Sequence, residues 1–155
     1  MSLLKATRGV QYPLVASFTI DYDDSMVDTG GTERTFPLAT DGTYVFDVAA
    51  LPVGAVILGG NLVVEDLFYI AGTGTITLDI GTETDPDAFS DSAPISLEVA
   101  GVTALTYTST AANEIANGEN LRLTFVTTGD PATAGRMHVN LMYVLPGRIN
   151  EVTAR

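Results

Sequence analysis

Apolar and polar residues alternate with a period of two along most of this chain, the pattern of strands that bury one face. Leu14, Ala16, Phe18 and Ile20 occupy one phase of the first run, with Val15, Ser17, Thr19 and Asp21 on the other. The same alternation returns at Tyr44, Phe46 and Val48, at Ile76, Leu78 and Ile80, and at Leu121, Leu123 and Phe125. It returns once more from Met137 through Val139, Leu141 and Tyr143 to Leu145, with His138, Asn140 and Met142 facing the other way. Residues 56–58 and 62–64 read as a strand pair or as one bent strand, with Gly59 and Gly60 as its bulge or corner. The aromatic residues Phe18, Tyr44, Phe46, Phe125 and Tyr143 fall on the apolar phase, which assigns them to core packing rather than to a ligand platform.

Turn-forming residues punctuate these runs at Gly30-Gly31, Asp41-Gly42, Gly72-Thr73-Gly74, Asp85-Pro86, Asn117-Gly118 and Asp130-Pro131. Gly72 to Gly74 supplies two glycines of a dinucleotide fingerprint, but Thr77 stands where the third belongs and a strand pattern follows where a helix is required. The stretch therefore reads as a hairpin turn. Helical periodicity is sustained nowhere, the best short candidate being residues 111–116. The prediction is an all-β chain: a single antiparallel β-sandwich of about eight strands, of the jelly-roll type, with short arms at both ends. Pro13 and Pro146-Gly147 bracket the patterned body. They divide the chain into an N-terminal arm (1–13), a β-sandwich domain (14–145) and a C-terminal arm (146–155).

Composition narrows the chemistry. A chain of 155 residues suffices for one domain, burying roughly 70% of its unfolded surface. The absence of cysteine removes disulfides, thiolate metal sites and cysteine nucleophiles together, and a single histidine removes any site needing two imidazoles from one chain. A net charge of −12 argues against broad nucleic-acid binding. The longest apolar stretch, residues 53–69, is broken by Gly54, Gly59, Gly60, Asn61, Glu65 and Asp66, so no membrane span is expected. Lys5 follows Met1-Ser2-Leu3-Leu4 too soon for a signal peptide, and synthesis in a cytoplasm is expected.

The distribution of charge is more informative than its total. Residues 9–147 hold 18 of the 19 carboxylates against Arg34, Arg122 and Arg136, a net −15. Residues 1–8 carry Lys5 and Arg8 with no acid, and residues 148–155 carry Arg148 and Arg155 against Glu151. An acidic body with basic ends is expected to attract copies of itself through its termini, or to dock those termini on an acidic neighbour.

Candidate chemistry is sparse. Asp79, Glu83, Asp85, Asp87 and Asp91 place oxygen ligands at alternating loop positions, which suits Ca²⁺. The set is incomplete as an EF-hand, because Pro86 and the lack of flanking helices do not fit; a solvated acidic loop, with no metal and no cofactor, is the expectation. Asp21, Asp23, Asp24 and Asp28 contain the carboxylates a glycosidase would need, yet the chain has no tryptophan to form a sugar platform. His138 lies on the polar face of its strand, where it would pack on a neighbour or meet its own copies about a rotation axis, and no serine sits in a nucleophile elbow. No catalytic residues are assigned, and the chain is expected not to be an enzyme.

Two elements carry a resemblance. Residues 51–65, with Pro52-Val53-Gly54-Ala55-Val56-Ile57 leading into a strand pair, and Ile80-Gly81-Thr82-Glu83-Thr84-Asp85-Pro86-Asp87-Ala88-Phe89 resemble recurring segments of small β-structural proteins of tailed bacteriophages. Residues 118–125, the small-residue loop 132–135 and a last strand ending in Tyr143 are similar in order and spacing, so the resemblance covers about residues 14–145. It implies a jelly-roll capsid decoration (cement) protein: a homotrimer on the virion surface whose termini reach across neighbouring subunits of the major capsid protein. The alternative it leaves open is a phage tail or surface β-sandwich that binds a receptor or carbohydrate. Under the first reading the docking residues are Lys5, Arg8, Arg148 and Arg155 by charge, with Leu3, Leu4, Tyr12 and Ile149 as apolar anchors.

Overall fold

The computed structural model describes residues 13–36, 38, 41–90, 93–107, 114–115 and 118–145. Every regular element among them is a strand: β1 (Leu14–Asp21), β2 (Ser25–Val27), β3 (Glu33–Thr35), β4 (Gly42–Leu51), β5 (Ala55–Ile70), β6 (Thr75–Gly81), β7 (Ile95–Ser96), β8 (Gly101–Leu105), β9 (Glu114–Ile115), β10 (Glu119–Thr128) and β11 (Ala132–Val144). The docking residues proposed from sequence, Leu3, Leu4, Lys5, Arg8, Tyr12, Arg148, Ile149 and Arg155, lie outside the described residues, as does Asp91.

Two sheets form the sandwich. One runs β1-β11-β5-β8, with β9 pairing β5 beyond β8, and the other runs β4-β10-β6-β7. Counting only these eight main strands in chain order, the sheets read 1-8-3-6 and 2-7-4-5, the double Greek key of a jelly roll. All the strand pairs are antiparallel. The small β2–β3 hairpin, turning through Gly30-Gly31, is a sheet of its own, tied to β4 by the Thr29 amide donating to the Val45 carbonyl at 2.9 Å.

Burial follows the alternation along β1, β6 and β10 and through the second half of β11. Ile76, Leu78 and Ile80 of β6, Leu121, Leu123 and Phe125 of β10, and Met137, Val139 and Leu141 of β11 are all buried, and their polar neighbours face out. Residues 56–64 belong to one strand, not two: β5 runs for 16 residues, and its register against β11 slips between Met142 and Tyr143, opposite Leu58. Two expectations are corrected. Glu114–Ile115 form strand β9 on Ala55 and Val56, which excludes a helical turn there, while residues 111–113 and 116 lie outside the described residues. Residues 72–74 do not close a hairpin, because β5 and β6 lie in opposite sheets and the segment crosses the sandwich.

The centre of the core is aromatic. Phe36, in the connection after β3, sits 5.0 Å from Phe125 in an edge-to-face contact, 6.0 Å from Phe46 and 6.4 Å from Phe68. Phe46 and Phe125 come from one sheet and Phe68 from the other, so Phe36 joins the two layers. A second pair, Phe89 and Tyr107 at 5.6 Å, packs where the segment after β6 meets the end of β8.

Candidate functional site

The outer face of the β1-β11-β5 sheet carries the most organised polar surface of the described residues. Its rows follow from register: Ser17 opposes Asn140 and Asn61, Thr19 opposes His138 and Val63, and Asp21 opposes Arg136 and Asp66. Each row is linked by side chains, the sheet counterpart of helical side-chain pairs. Ser17 Oγ donates to Asn140 Oδ1 at 2.6 Å, and Asn140 Nδ2 donates to Asn61 Oδ1 at 2.9 Å. His138 Nδ1 lies 2.6 Å from Thr19 Oγ1, and its Nε2 lies 2.9 Å from Glu65 Oε1. Arg136 Nε reaches Glu65 Oε2 at 3.1 Å and Asp21 Oδ1 at 3.6 Å.

Hydroxyl, imidazole and carboxylate in a chain of hydrogen bonds is the arrangement of a catalytic triad, and the sequence placed only His138 of the three. Thr19 and His138, however, are directly paired in an uninterrupted eight-residue ladder, on the outward side of the sheet. The trio is a cross-strand tie between three strands.

The acidic segments are likewise occupied by structure. Asp28 accepts from Arg34 Nε at 2.8 Å and from the Thr32 amide at 2.8 Å, bracing the β2–β3 turn; the Arg34 and Thr32 bonds hold its carboxyl below the usual range. Asp24 Oδ2 accepts from the Asp21 amide. On the other sheet Arg122 binds Asp47 through Nε at 2.8 Å and Nη2 at 3.3 Å, which lowers Asp47 and raises Arg122 further. Depressed carboxylates contribute stability that is present above the ordinary carboxylate pKa and lost as pH falls through the lowered one. Asp28 and Asp47 therefore make the fold weaker in strong acid.

Asp79 and Asp85 behave oppositely. Burial, and secondarily the charge of Asp87, push Asp79 up despite a 3.4 Å bond from Ser90 Oγ. Burial, the Asp87 carboxyl and Glu119 push Asp85 up. Gly81 lets the loop close tightly, since a Cβ there would stand 2.1 Å from the Asp85 carbonyl oxygen. Asp87 lies close enough to both to push them up, yet among the described residues no three His, Cys, Asp or Glu side chains come together to hold a metal. A raised carboxyl contributes stability that is present at low pH and lost as pH rises through the raised value. Asp79→Asn is accordingly expected to raise the thermal midpoint at pH 7 by about 1–2 °C, what a few tenths of a kcal/mol produce in a domain of this size. Thermal scans should show the gain shrinking toward zero as pH drops below about 4, where both forms are neutral.

One consequence concerns the cations. Arg34, Arg122 and Arg136, the three arginines of the described body, are each held by a carboxylate. The chain's remaining Lys and Arg residues are Lys5, Arg8, Arg148 and Arg155.

No protein-family model matches the chain, and no curated protein matches it. Solved structures do share its fold. A chain of the cyanophage Pam1 capsid asymmetric unit matches with a TM-score of 0.58 at 18% identity, over 94% of both chains. A chain of the capsid of Ralstonia phage GP4 matches with a TM-score of 0.53 at 20% identity, over 93% of this chain and 89% of that one. A chain of the acidic stable capsid of Helicobacter pylori bacteriophage KHP30 matches with a TM-score of 0.52 at 17% identity, over 90% and 94%.

Proposed function

We propose that this protein is a structural component of a tailed-phage virion that decorates the capsid surface and stabilises it by bridging neighbouring major-capsid subunits. The observation that carries the reading is a fold shared, over nine-tenths or so of both chains, with proteins found in three separate phage capsids. The physical features are in keeping with it. Most polar groups of the β1-β11-β5 face are spent on cross-strand ties, and Asp28 braces the β2–β3 turn, which suits a scaffold rather than a catalyst. A homotrimer, synthesised in the host cytoplasm and carried on the outside of the shell, is part of the same reading.

Attachment then falls to the terminal arms, since the body's arginines are already paired. Lys5, Arg8, Arg148 and Arg155 supply charge, and Leu3, Leu4, Tyr12 and Ile149 supply apolar contact. Many weak contacts of this kind add through avidity on a repeating shell. Deleting residues 1–10 and 147–155 is expected to lower affinity for empty shells by about tenfold or more, the equivalent of roughly 1.4 kcal/mol per decade. Co-sedimentation of shells with the full and truncated chains measures it, and equal affinity would refute the assignment. The parent chain should bind in hundreds of copies per particle, whereas a tail adhesin would be present in few copies and bind a host glycan.

A further inference from the structure

At the Asp21 end of the β1-β11-β5 sheet the regular ladder gives way to an open groove of about 560 Å³. Its cause is a run of irregular pairing: the β11–β5 register shifts between Ala132 and Ala134, between Ala134 and Arg136, and between Arg136 and Met137. A regular strand alternates in and out, yet Glu65, Asp66 and Leu67 are three consecutive exposed residues. Bulges of this kind re-aim side chains, and here they leave Leu67 exposed beside Tyr22, which follows β1, and Tyr69, which is 55% exposed.

The rim of this apolar groove is negative. Asp21, Glu65 and Asp66 line it against the single cation Arg136, a net −2. Arg136 is shared between Asp21 and Glu65, and Asp66 has no hydrogen-bond or ion-pair partner among the described residues. Exposed phenol rings beside an unpaired carboxylate suit a cationic side chain, which binds ring faces and carboxylates alike, on a segment that also brings apolar residues to Leu67.

The chain itself holds such a segment. With the body's arginines occupied, the other Lys and Arg residues are terminal, and residues 1–8 combine Lys5 and Arg8 with Leu3 and Leu4 and contain no acid. The C-terminal stretch matches less well because Glu151 offsets one of its arginines. Reach decides between the same chain and another. Leu14 pairs with Tyr143 at the end of β1 remote from Asp21, seven strand steps or about 23 Å away. Arg8, six residues before Leu14, spans at most about 21 Å when fully extended, with no length left for the reversal that return along β1 would demand. Seating both charges in the chain's own groove is thus disfavoured, and a neighbouring molecule carries no such restriction.

We propose that residues 3–8 of one copy dock in the Tyr22–Tyr69 groove of a second copy, so that the free protein associates through exchanged N-terminal segments. This rests on the reading of the termini as docking arms, and it concerns the free protein, before Lys5 and Arg8 meet a shell. The test is the mass of the full chain in solution, by light scattering and sedimentation equilibrium at low and high salt. The parent should self-associate at low salt and dissociate progressively as salt screens the contact. Lys5→Asp with Arg8→Asp, and separately Asp66→Lys, should each weaken association by about tenfold or more; the three together should recover part of it by restoring opposite charges. Tyr69→Ser should weaken it as well, with an unchanged thermal midpoint confirming an intact fold. A parent that stays monomeric at low salt, arm-reversed protein that associates as the parent does, or a triple variant with no recovery would each overturn the proposal. Because no shell is present in these measurements, its failure is separable from a failure of the decoration reading, which is scored by shell binding alone.

Discussion

Replacing Phe36 with alanine is expected to lower the unfolding free energy by about 3–5 kcal/mol, the range for removing a fully buried aromatic ring. Phe36 has no solvent exposure, and its ring touches Phe46 and Phe125 of one sheet and Phe68 of the other. Truncation leaves a cavity between layers that are held apart by their own backbones, so the walls cannot collapse to fill it. Against a typical total of about 5–15 kcal/mol the loss is a large fraction of stability. Urea titration measures it, and Phe36→Leu should recover more than half. Val99→Ala, at a residue 68% exposed, should stay within about 0.5 kcal/mol and serves as the control. A Phe36→Ala loss below about 1 kcal/mol would contradict the central position of this ring.

Gly60→Ala is expected to be comparably severe for a different reason. Gly60 pairs with Leu141 in β11 and with Leu105 in β8, at the middle of the first sheet. A Cβ at this position would stand 2.1 Å from the Asn140 carbonyl oxygen and 3.1 Å from the Leu141 Cα. Neither atom belongs to a flexible side chain, so relief requires displacing the ladder of β11 against β5. The expected cost is at the top of the overpacking range, about 3 kcal/mol. Gly31→Ala separates steric overlap from backbone preference. Gly31 has φ of 80° but open space around a would-be Cβ, so its cost should be limited to the left-handed penalty of about 1–2 kcal/mol. Equal midpoints for Gly60→Ala and the parent in urea would refute the close approach.

These two residues also show what can be read before the fold is known. Gly60 stands out in sequence, because paired glycines inside an apolar run mark a bulge or a close approach, and both occur there. Phe36 does not. It lies in an irregular connection, outside any alternating run, and its burial depends on strands that arrive from distant parts of the chain. The same distinction runs through the surface. His138 was assigned to the polar face by phase alone, but its partners Thr19 and Glu65 are 119 and 73 positions away in sequence and are supplied by pairing. The Tyr22–Tyr69 groove was equally invisible, since it arises where register slips between β5 and β11 break the alternation that sequence reading relies on.

The sequence by itself determined which residues face inward along the regular alternating runs, where most turns fall, and that four of the seven cationic residues lie near the chain ends. Alternation encodes one-sided burial locally, and turn residues encode a change of direction locally, so both survive without knowledge of partners. Only the tertiary structure decided which strands pair. Of the eight main strands, β6 and β7 alone are paired neighbours in the chain, while every other connection among them crosses from one sheet to the other. A Gly-Thr-Gly turn has the same local chemistry whether it closes a hairpin or rounds the corner of a sandwich. The choice is made by the packing of two apolar faces against each other around Phe36, a contact between residues far apart in sequence that no local pattern records.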